Sequence, residues 1–363
     1  MAKEVLEAPD LVGRKVYVGM SGGVDSSVTA ALLKARGAEV TGVYMKNWSQ
    51  DLPGMKCPWK EDYQDAKRVA VGLGIPFKMY DFEKEYRQKV VDYMVAEYQA
   101  GRTPNPDIMC NQEVKFKIFL ETALQDGADM IATGHYARLR DGQLLTGIDD
   151  NKDQSYFLYR VQQTALERSL MPIGEYEKPH VRELARQYGL STAEKKDSQG
   201  ICFVGKVGIK DFLLHELGEQ PHGDIVDQHG TVVGQHDGAL FYTIGQRHGL
   251  NVGGGLPYYV VGKDMPQNQV FVTTDLQDEK LWSQQLRLTD IHWINQAPEM
   301  YDSSDTPLMV RSRYRAPLVP ITALSRDGDT WVAGLGEEIR AVTPGQSAVV
   351  YDGERVVGGG IVI

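Results

Sequence analysis

From Lys15 to about Lys206, short apolar runs alternate with segments of helical period. Lys15–Gly19 reads as a buried strand, and the stretch from Ser27 to Arg36 as a helix with Val28, Ala31, Leu32 and Ala35 inward and Gly37 as its stop. Val40–Met45 is a second strand. Ala66, Val69, Ala70 and Leu73 form the next helical stripe, closed by Gly74, and strand character resumes over Pro76–Asp81. Phe116, Phe119, Leu120, Ala123 and Leu124 recur at spacings of three and four ahead of a strand at Met130–Thr133. Val181, Leu184, Ala185 and Tyr188, closed by Gly189, mark one more helix. This alternation predicts an α/β fold, a parallel sheet with crossover helices. Beyond about residue 207 the pattern changes, and helical periodicity fades after Lys210–Leu217. Short β-rich runs follow at Gln269–Thr273, Leu308–Arg315, Val319–Leu324, Thr330–Leu335 and Ser347–Tyr351, the spacing of a small β-barrel or sandwich. The expected division is an α/β domain over 1–206, a small central α+β domain over 207–276 and a C-terminal β-barrel over 277–363.

Composition narrows the partners. The 363 residues are 42% hydrophobic and 24% charged, enough apolar material for several cores. The formal charge of −10 excludes a uniformly basic coat, so a polyanion would have to be met by local basic patches. Three cysteines, Cys57, Cys110 and Cys202, are too few for a secreted disulfide framework and suit a reducing compartment. No apolar run reaches the ~18 residues of a membrane helix, and the first fifteen residues hold no apolar leader core. A cytoplasmic protein without membrane partners is expected.

The sharpest local feature is Gly19-Met20-Ser21-Gly22-Gly23-Val24-Asp25-Ser26-Ser27, between the first strand and the first helix. Glycines there let backbone N–H groups approach an anion, the helix start adds partial positive charge, and the serines add hydroxyl donors. The lysine of a Walker A loop is missing, as is the third glycine of a dinucleotide fingerprint. Asp25 would repel phosphate unless Mg²⁺ or a hydrogen-bonding role offsets it. This string resembles the signature of the ATP pyrophosphatase (PP-loop) enzymes, which split ATP between its α and β phosphates and use AMP to activate a carbonyl-type oxygen. The loop by itself does not separate thiolating members from amidating ones.

The cysteines separate them. Cys110 lies in Gly101-Arg102-Thr103-Pro104-Asn105-Pro106-Asp107-Ile108-Met109-Cys110-Asn111, where two prolines are expected to hold off the helix until the cysteine. A thiol at a helix N-terminus has its thiolate favoured, and Asp107 could act as general acid or base beside it. Cys202 lies in Asp197-Ser198-Gln199-Gly200-Ile201-Cys202-Phe203, near Lys195 and Lys196, cations that also favour thiolate. Cys57 reads as a small buried hydrophobe. Together the two segments resemble the cysteine motifs of the tRNA-specific 2-thiouridylases, which modify the wobble uridine. The likeness continues through Ala132–Arg138, Lys152–Leu158 and Tyr242–Leu250.

The resemblance implies a reaction. The amide-like C2 oxygen of uracil leaves poorly until adenylated. Cys202 would carry a persulfide received from a sulfur-relay protein, and Cys110 would attack it, leaving a transient Cys110–Cys202 disulfide. Alternatively, Cys110 first releases sulfide. ATP with its Mg²⁺ is the co-substrate, with no permanent cofactor and no protein metal site. The resemblance puts Gly19 to Ser26, Met45 and Gly134 on ATP. It puts Asn105, Pro106, Asp107, His135, Lys152, Asp153, Gln154, Arg313, Tyr314 and Gln346 on tRNA, with lysine, glutamate and glutamine acceptors. Independently, Arg311, Arg313 and Arg315 fall at period two in a predicted strand, which would line three guanidiniums on one face. The rival readings are a PP-loop amidoligase acting on a small molecule, which would need neither Cys110 nor Cys202, a nucleotide-regulated RNA-binding protein, and a cluster-dependent thiolase.

Overall fold

The computed structural model describes residues 11–52, 54, 56–196, 208–250, 252–253, 255, 257–295 and 307–363. Two compact units are present. The first comprises Met1–Asp51, Met55–Arg87 and Met109–Gly205, and the second Leu52–Gly54, Gln88–Ile108 and Lys206–Ile363.

In the first unit, β1 (Lys15–Gly19), β2 (Glu39–Lys46), β3 (Phe77–Asp81) and β4 (Met130–Ala132) pair in parallel. A hairpin, β5 (Ala137–Arg140) and β6 (Gln143–Thr146), precedes the two-residue edge strand β7 (Ser169–Leu170). The sheet order is β3-β2-β1-β4-β7. Central β1 is apolar throughout after Lys15 because helices cover both faces of such a sheet. Helix α1 (Val24–Ala35) buries nine of its residues in that core, with Val28 and Leu33 fully enclosed. Helix α2 (Trp59–Leu73) buries only Ala66, Val69 and Ala70, the narrow stripe expected of a surface helix, and stops at Gly74 in the left-handed conformation.

The second unit holds two β structures. Strands β8 (Gly223–Val226), β9 (Val232–His236), β10 (Tyr259–Asp264) and β11 (Gln269–Thr273) form a four-stranded sheet in the order β10-β11-β8-β9, packed on Val260, Val270, Val272 and Ile225. The rest is a closed six-stranded barrel of β12 (Trp282–Trp293), β13 (Met309–Arg311), β14 (Val319–Asp327), β15 (Thr330–Arg340), β16 (Ser347–Asp352) and β17 (Arg355–Val362). Its order is β12-β15-β14-β13-β16-β17, and β12 pairs with β17 to close it. Closure leaves neither strand as an unpaired edge.

The strand expected over 308–315 is cut short. β13 ends at Arg311, the chain turns through 312–315, and Arg315 sits at a left-handed φ of 62°. The three arginines therefore do not line one strand face. Arg315 instead lays its guanidinium 5.1 Å from the Tyr314 ring centroid.

Candidate active site

The loop between β1 and α1 is built to present backbone donors. Gly23 is the N-cap of α1 and no side chain caps that end. Serines brace the turn instead: Ser26 Oγ accepts from Ser21 N at 3.2 Å, and Ser27 Oγ donates to Gly23 O at 2.7 Å. Gly22 has φ +76°, and a Cβ there would stand 2.3 Å from Asp62 O on α2, so only glycine fits the turn. Gly134, after β4, packs on the same turn, its missing Cβ 2.7 Å from Ser26 N and 2.9 Å from Asp25 C. Met45 reaches the start of the loop, its methyl 2.9 Å from where a Gly19 Cβ would lie. The predicted nucleotide residues thus converge.

Asp25 is held rather than loose. Lys178 Nζ donates to both carboxylate oxygens at 2.7 and 2.9 Å, and the Tyr136 hydroxyl donates to Oδ1 at 2.8 Å. Lys178 opens the helix Lys178–Gln187, where its own N–H donates to Asp149 Oδ2 at 2.9 Å, and its side chain is buried. The repulsion expected of Asp25 is therefore offset by a fixed cation, with no metal required to do it. Sequence reasoning missed Lys178, because a contact across 153 positions leaves no local signal.

Cys110 is buried, yet it does not begin a helix. Pro106–Met109 is already helical, and Asn105 Oδ1 accepts from Asp107 N at 3.2 Å in the manner of an N-cap. Proline at the first helical position is well tolerated, so Pro106 starts the helix that it was expected to hold off. Cys110 enters one turn later, at the head of a π-helical segment, Cys110–Ile118. The favourable dipole is concentrated in the turn before it. The segment is tied to the Lys152–Leu158 stretch, since Asn111 Nδ2 donates to Phe157 O at 3.0 Å, and just beyond that stretch Arg160 Nε donates to Gln112 Oε1 at 2.5 Å.

His135 is enclosed among Phe116, Thr133 and Lys115. Its Nδ1 lies 2.8 Å from Thr133 Oγ1 and its Nε2 3.4 Å from the Lys115 ammonium. Burial, and then the Lys115 charge, push its proton affinity well below the ordinary histidine value, so the ring is neutral at physiological pH. Lys115 can only donate, which makes Nε2 the acceptor and leaves Nδ1–H for the threonine. Asp153 is buried and accepts from Gly147 N and Ser155 N, each at 3.0 Å. Gln154 Oε1 accepts from Tyr136 N at 3.1 Å. Gln154 thus fastens the loop to Tyr136, just ahead of β5, and Asp153 fastens it to Gly147, just after β6.

Cys202 lies outside the described residues. Of the two cations credited to it, Lys195 is already engaged: its Nζ donates to Asp62 Oδ1 and Asp65 Oδ2, each at 2.7 Å. Against the opposing effect of burial, this contact holds the Asp65 carboxyl below its usual range. Two carboxylates consume the Lys195 charge, so it is not available to favour a thiolate. Cys57 donates to Trp48 O at 3.6 Å and burial pushes its thiol up, as suits a structural cysteine.

The remaining predicted residues belong to the second unit. There Gln346 Nε2 donates to Thr103 O at 2.7 Å and to Pro104 O at 3.4 Å, bracing the stretch that leads into Asn105. Arg313 donates from Nη2 to Ile244 O at 3.2 Å, to Ala341 O and to Thr343 Oγ1, which joins the four-stranded sheet region to the barrel.

Family models match three consecutive stretches: a tRNA methyl transferase HUP domain over 14–206, a tRNA methyl transferase PRC-barrel domain over 210–274 and an aminomethyltransferase beta-barrel domain over 283–362. The tRNA-specific 2-thiouridylase MnmA of Enterococcus faecalis is 46% identical over 358 residues, 96% of this chain and 95% of that protein. That of Bacillus subtilis is 47% identical over 354 residues, 96% of this chain and 94% of that protein. MnmA 2 of Geobacillus kaustophilus is 48% identical over 355 residues, with the same two coverages. The chain belongs to the tRNA-specific 2-thiouridylase family. The methyl-transfer wording of the domain descriptions names a chemistry that these full-length 2-thiouridylase relatives do not carry in their names. Membership fits the HUP-type parallel sheet and the closed barrel. Among the described residues no helix is long and apolar enough to cross a membrane, and no group of three histidine, cysteine or acidic side chains is placed to hold a metal.

Proposed function

We propose that this protein catalyses the ATP-dependent 2-thiolation of the wobble uridine of tRNA in the cytoplasm. The observation that carries the reading is the convergence of Gly19–Ser26, Met45 and Gly134 around an aspartate neutralised by Lys178. The backbone donors of the loop and of α1 receive the phosphates of ATP, whose Mg²⁺ arrives with it. Asp25 keeps the loop in shape through Lys178 and Tyr136, as a positioning group rather than a metal ligand. The uracil C2 oxygen attacks the α-phosphorus and pyrophosphate leaves. The terminal sulfur of a Cys202 persulfide then attacks C2 and AMP departs. Finally, the Cys110 thiolate attacks the Cys202 sulfur, releasing 2-thiouridine and forming a disulfide that a cellular reductant must reopen. Asn105–Asp107 receives the base, and His135, Lys152, Asp153, Gln154, Arg313, Tyr314 and Gln346 serve tRNA binding. The chain works as the three segments 1–206, 207–276 and 277–363. Its partners are tRNAs for lysine, glutamate and glutamine and a persulfide-donating protein.

The test is to incubate the protein with ATP, Mg²⁺, a protein persulfide donor and unmodified tRNA, following pyrophosphate, AMP and thiolated nucleoside. Cys202→Ser should release pyrophosphate but neither AMP nor thiolated nucleoside, and Cys110→Ser should release AMP yet leave the sulfur bonded between C2 and Cys202. Full transfer by both variants would sink the mechanism.

A further inference from the structure

The second unit contains a cavity of about 360 Å³. It is lined by Gly101, Arg102 and Thr103 from the stretch before Asn105, by Lys263 and Met265 around the end of β10, and by Thr343 from the barrel. Its charges do not balance. Arg102 is spent on Glu97, with Nε 2.6 Å from Oε2 and Nη2 2.5 Å from Oε1. Lys263 has no such counterpart: its ammonium nitrogen is shielded from solvent, and nothing among the described residues accepts a hydrogen bond from it. Burial alone pushes this amine down to about 8, as befits a cation held without a countercharge. A buried, unsatisfied ammonium is costly and rare, and calls for an acceptor that enters from outside the chain. The space greatly exceeds the ~30 Å³ share of a single water, so a larger acceptor fits.

The position of the cavity says which acceptor. Thr103 is two residues from Asn105, a span of at most about 7 Å along the chain. It is fixed from several sides, by N–H donation to Pro344 O at 2.9 Å, by its hydroxyl 3.1 Å from that of Thr243, and by Gln346 on its carbonyl. A base received at Asn105–Asp107 carries its phosphodiesters one sugar away. We propose that this cavity binds a phosphodiester of the substrate RNA beside the nucleotide being modified, with the Lys263 ammonium as its countercharge. The assignment rests on reading Asn105–Asp107 as the segment that receives the base.

The experiment compares wild type, Lys263→Met and Lys263→Arg for binding of unmodified tRNA across a series of KCl concentrations, alongside thermal unfolding. Loss of one phosphate contact should make the log–log salt dependence shallower by about 0.7 to 0.9 and weaken binding about fivefold near 0.1 M salt. Lys263→Arg should keep the wild-type slope. Lys263→Met should unfold no earlier than wild type, because it removes a buried charge. An unchanged slope overturns the proposal, and so does a lowered Tm with an unchanged slope, which would make Lys263 a structural residue. If inorganic phosphate raises the Tm of wild type but not of Lys263→Met while their RNA slopes coincide, the cavity takes a free anion and the RNA assignment falls. Asn105→Ala and Asp107→Asn serve as controls for the underlying reading. Normal thiolation by those variants with a lost slope in Lys263→Met would remove the base-receiving role and leave the phosphate contact standing.

Discussion

Replacing Lys178 by Met isolates the charge balance of the phosphate loop. Its ammonium bonds both carboxylate oxygens of Asp25, and the pair is well shielded, with 10% of the lysine side chain and 31% of the aspartate side chain exposed. Without it, a bare carboxylate stands where polyphosphate must bind. Two unit charges ~6 Å apart at an effective dielectric of ~20 repel by about 3 kcal/mol. Partial exposure of Asp25 roughly halves that, leaving about 1.5 kcal/mol, or tenfold in ATP affinity. AMP formation measured against ATP concentration at saturating tRNA should show the KM for ATP raised about tenfold, with a smaller loss of turnover. tRNA affinity should not change, and Lys178→Arg should recover most of the loss. A Lys178→Met enzyme with a wild-type KM for ATP would refute the argument, as would one whose defect lies in tRNA binding.

Gly134→Ala places a methyl 2.7 Å from Ser26 N, so it should cut AMP formation by more than tenfold while the far-UV circular dichroism stays native. The lowered proton affinity of His135 makes the unfolded chain the better proton binder below about pH 6.5. Stability should therefore fall as pH drops through that range, by up to about 1.4 kcal/mol per pH unit, and His135→Gln should flatten the decline in urea midpoints between pH 7.5 and 5.5. Arg313→Ala strips hydrogen bonds from Ile244 O, Ala341 O and Thr343, and should cost about 2 kcal/mol in denaturant unfolding besides any loss of tRNA affinity. Cys57→Ala should leave sulfur transfer intact and lower stability by about 1 kcal/mol, measured by the same unfolding assay.

Where local pattern governs, the chain is readable. β1 spans the same five residues in pattern and structure, because a central parallel strand is apolar on both faces and glycine ends it. The phosphate loop is equally visible, since its glycines and serines are neighbours in sequence. What was not legible depends on distance or on competition. Lys178 and Lys263 acquire meaning only through what the fold puts around them, or fails to put there. The helix start at Pro106 was misread because proline breaks a helix in its interior but suits its first position, and the string alone does not say which applies. Arg313 and Arg315 have the alternation of a strand. However, the chain turns there, and backbone carbonyls and the Tyr314 ring claim their guanidiniums.

The Lys195 contact has a consequence for the shape of the phosphate loop. Lys195 is pinned to Asp62, and the backbone of Asp62 abuts Gly22 in the phosphate loop. The same ammonium holds Asp65, so α2 is gripped at two points beside the turn. A turn whose outer wall is a clamped helix is already ordered before an anion arrives, which lowers the conformational cost of binding it.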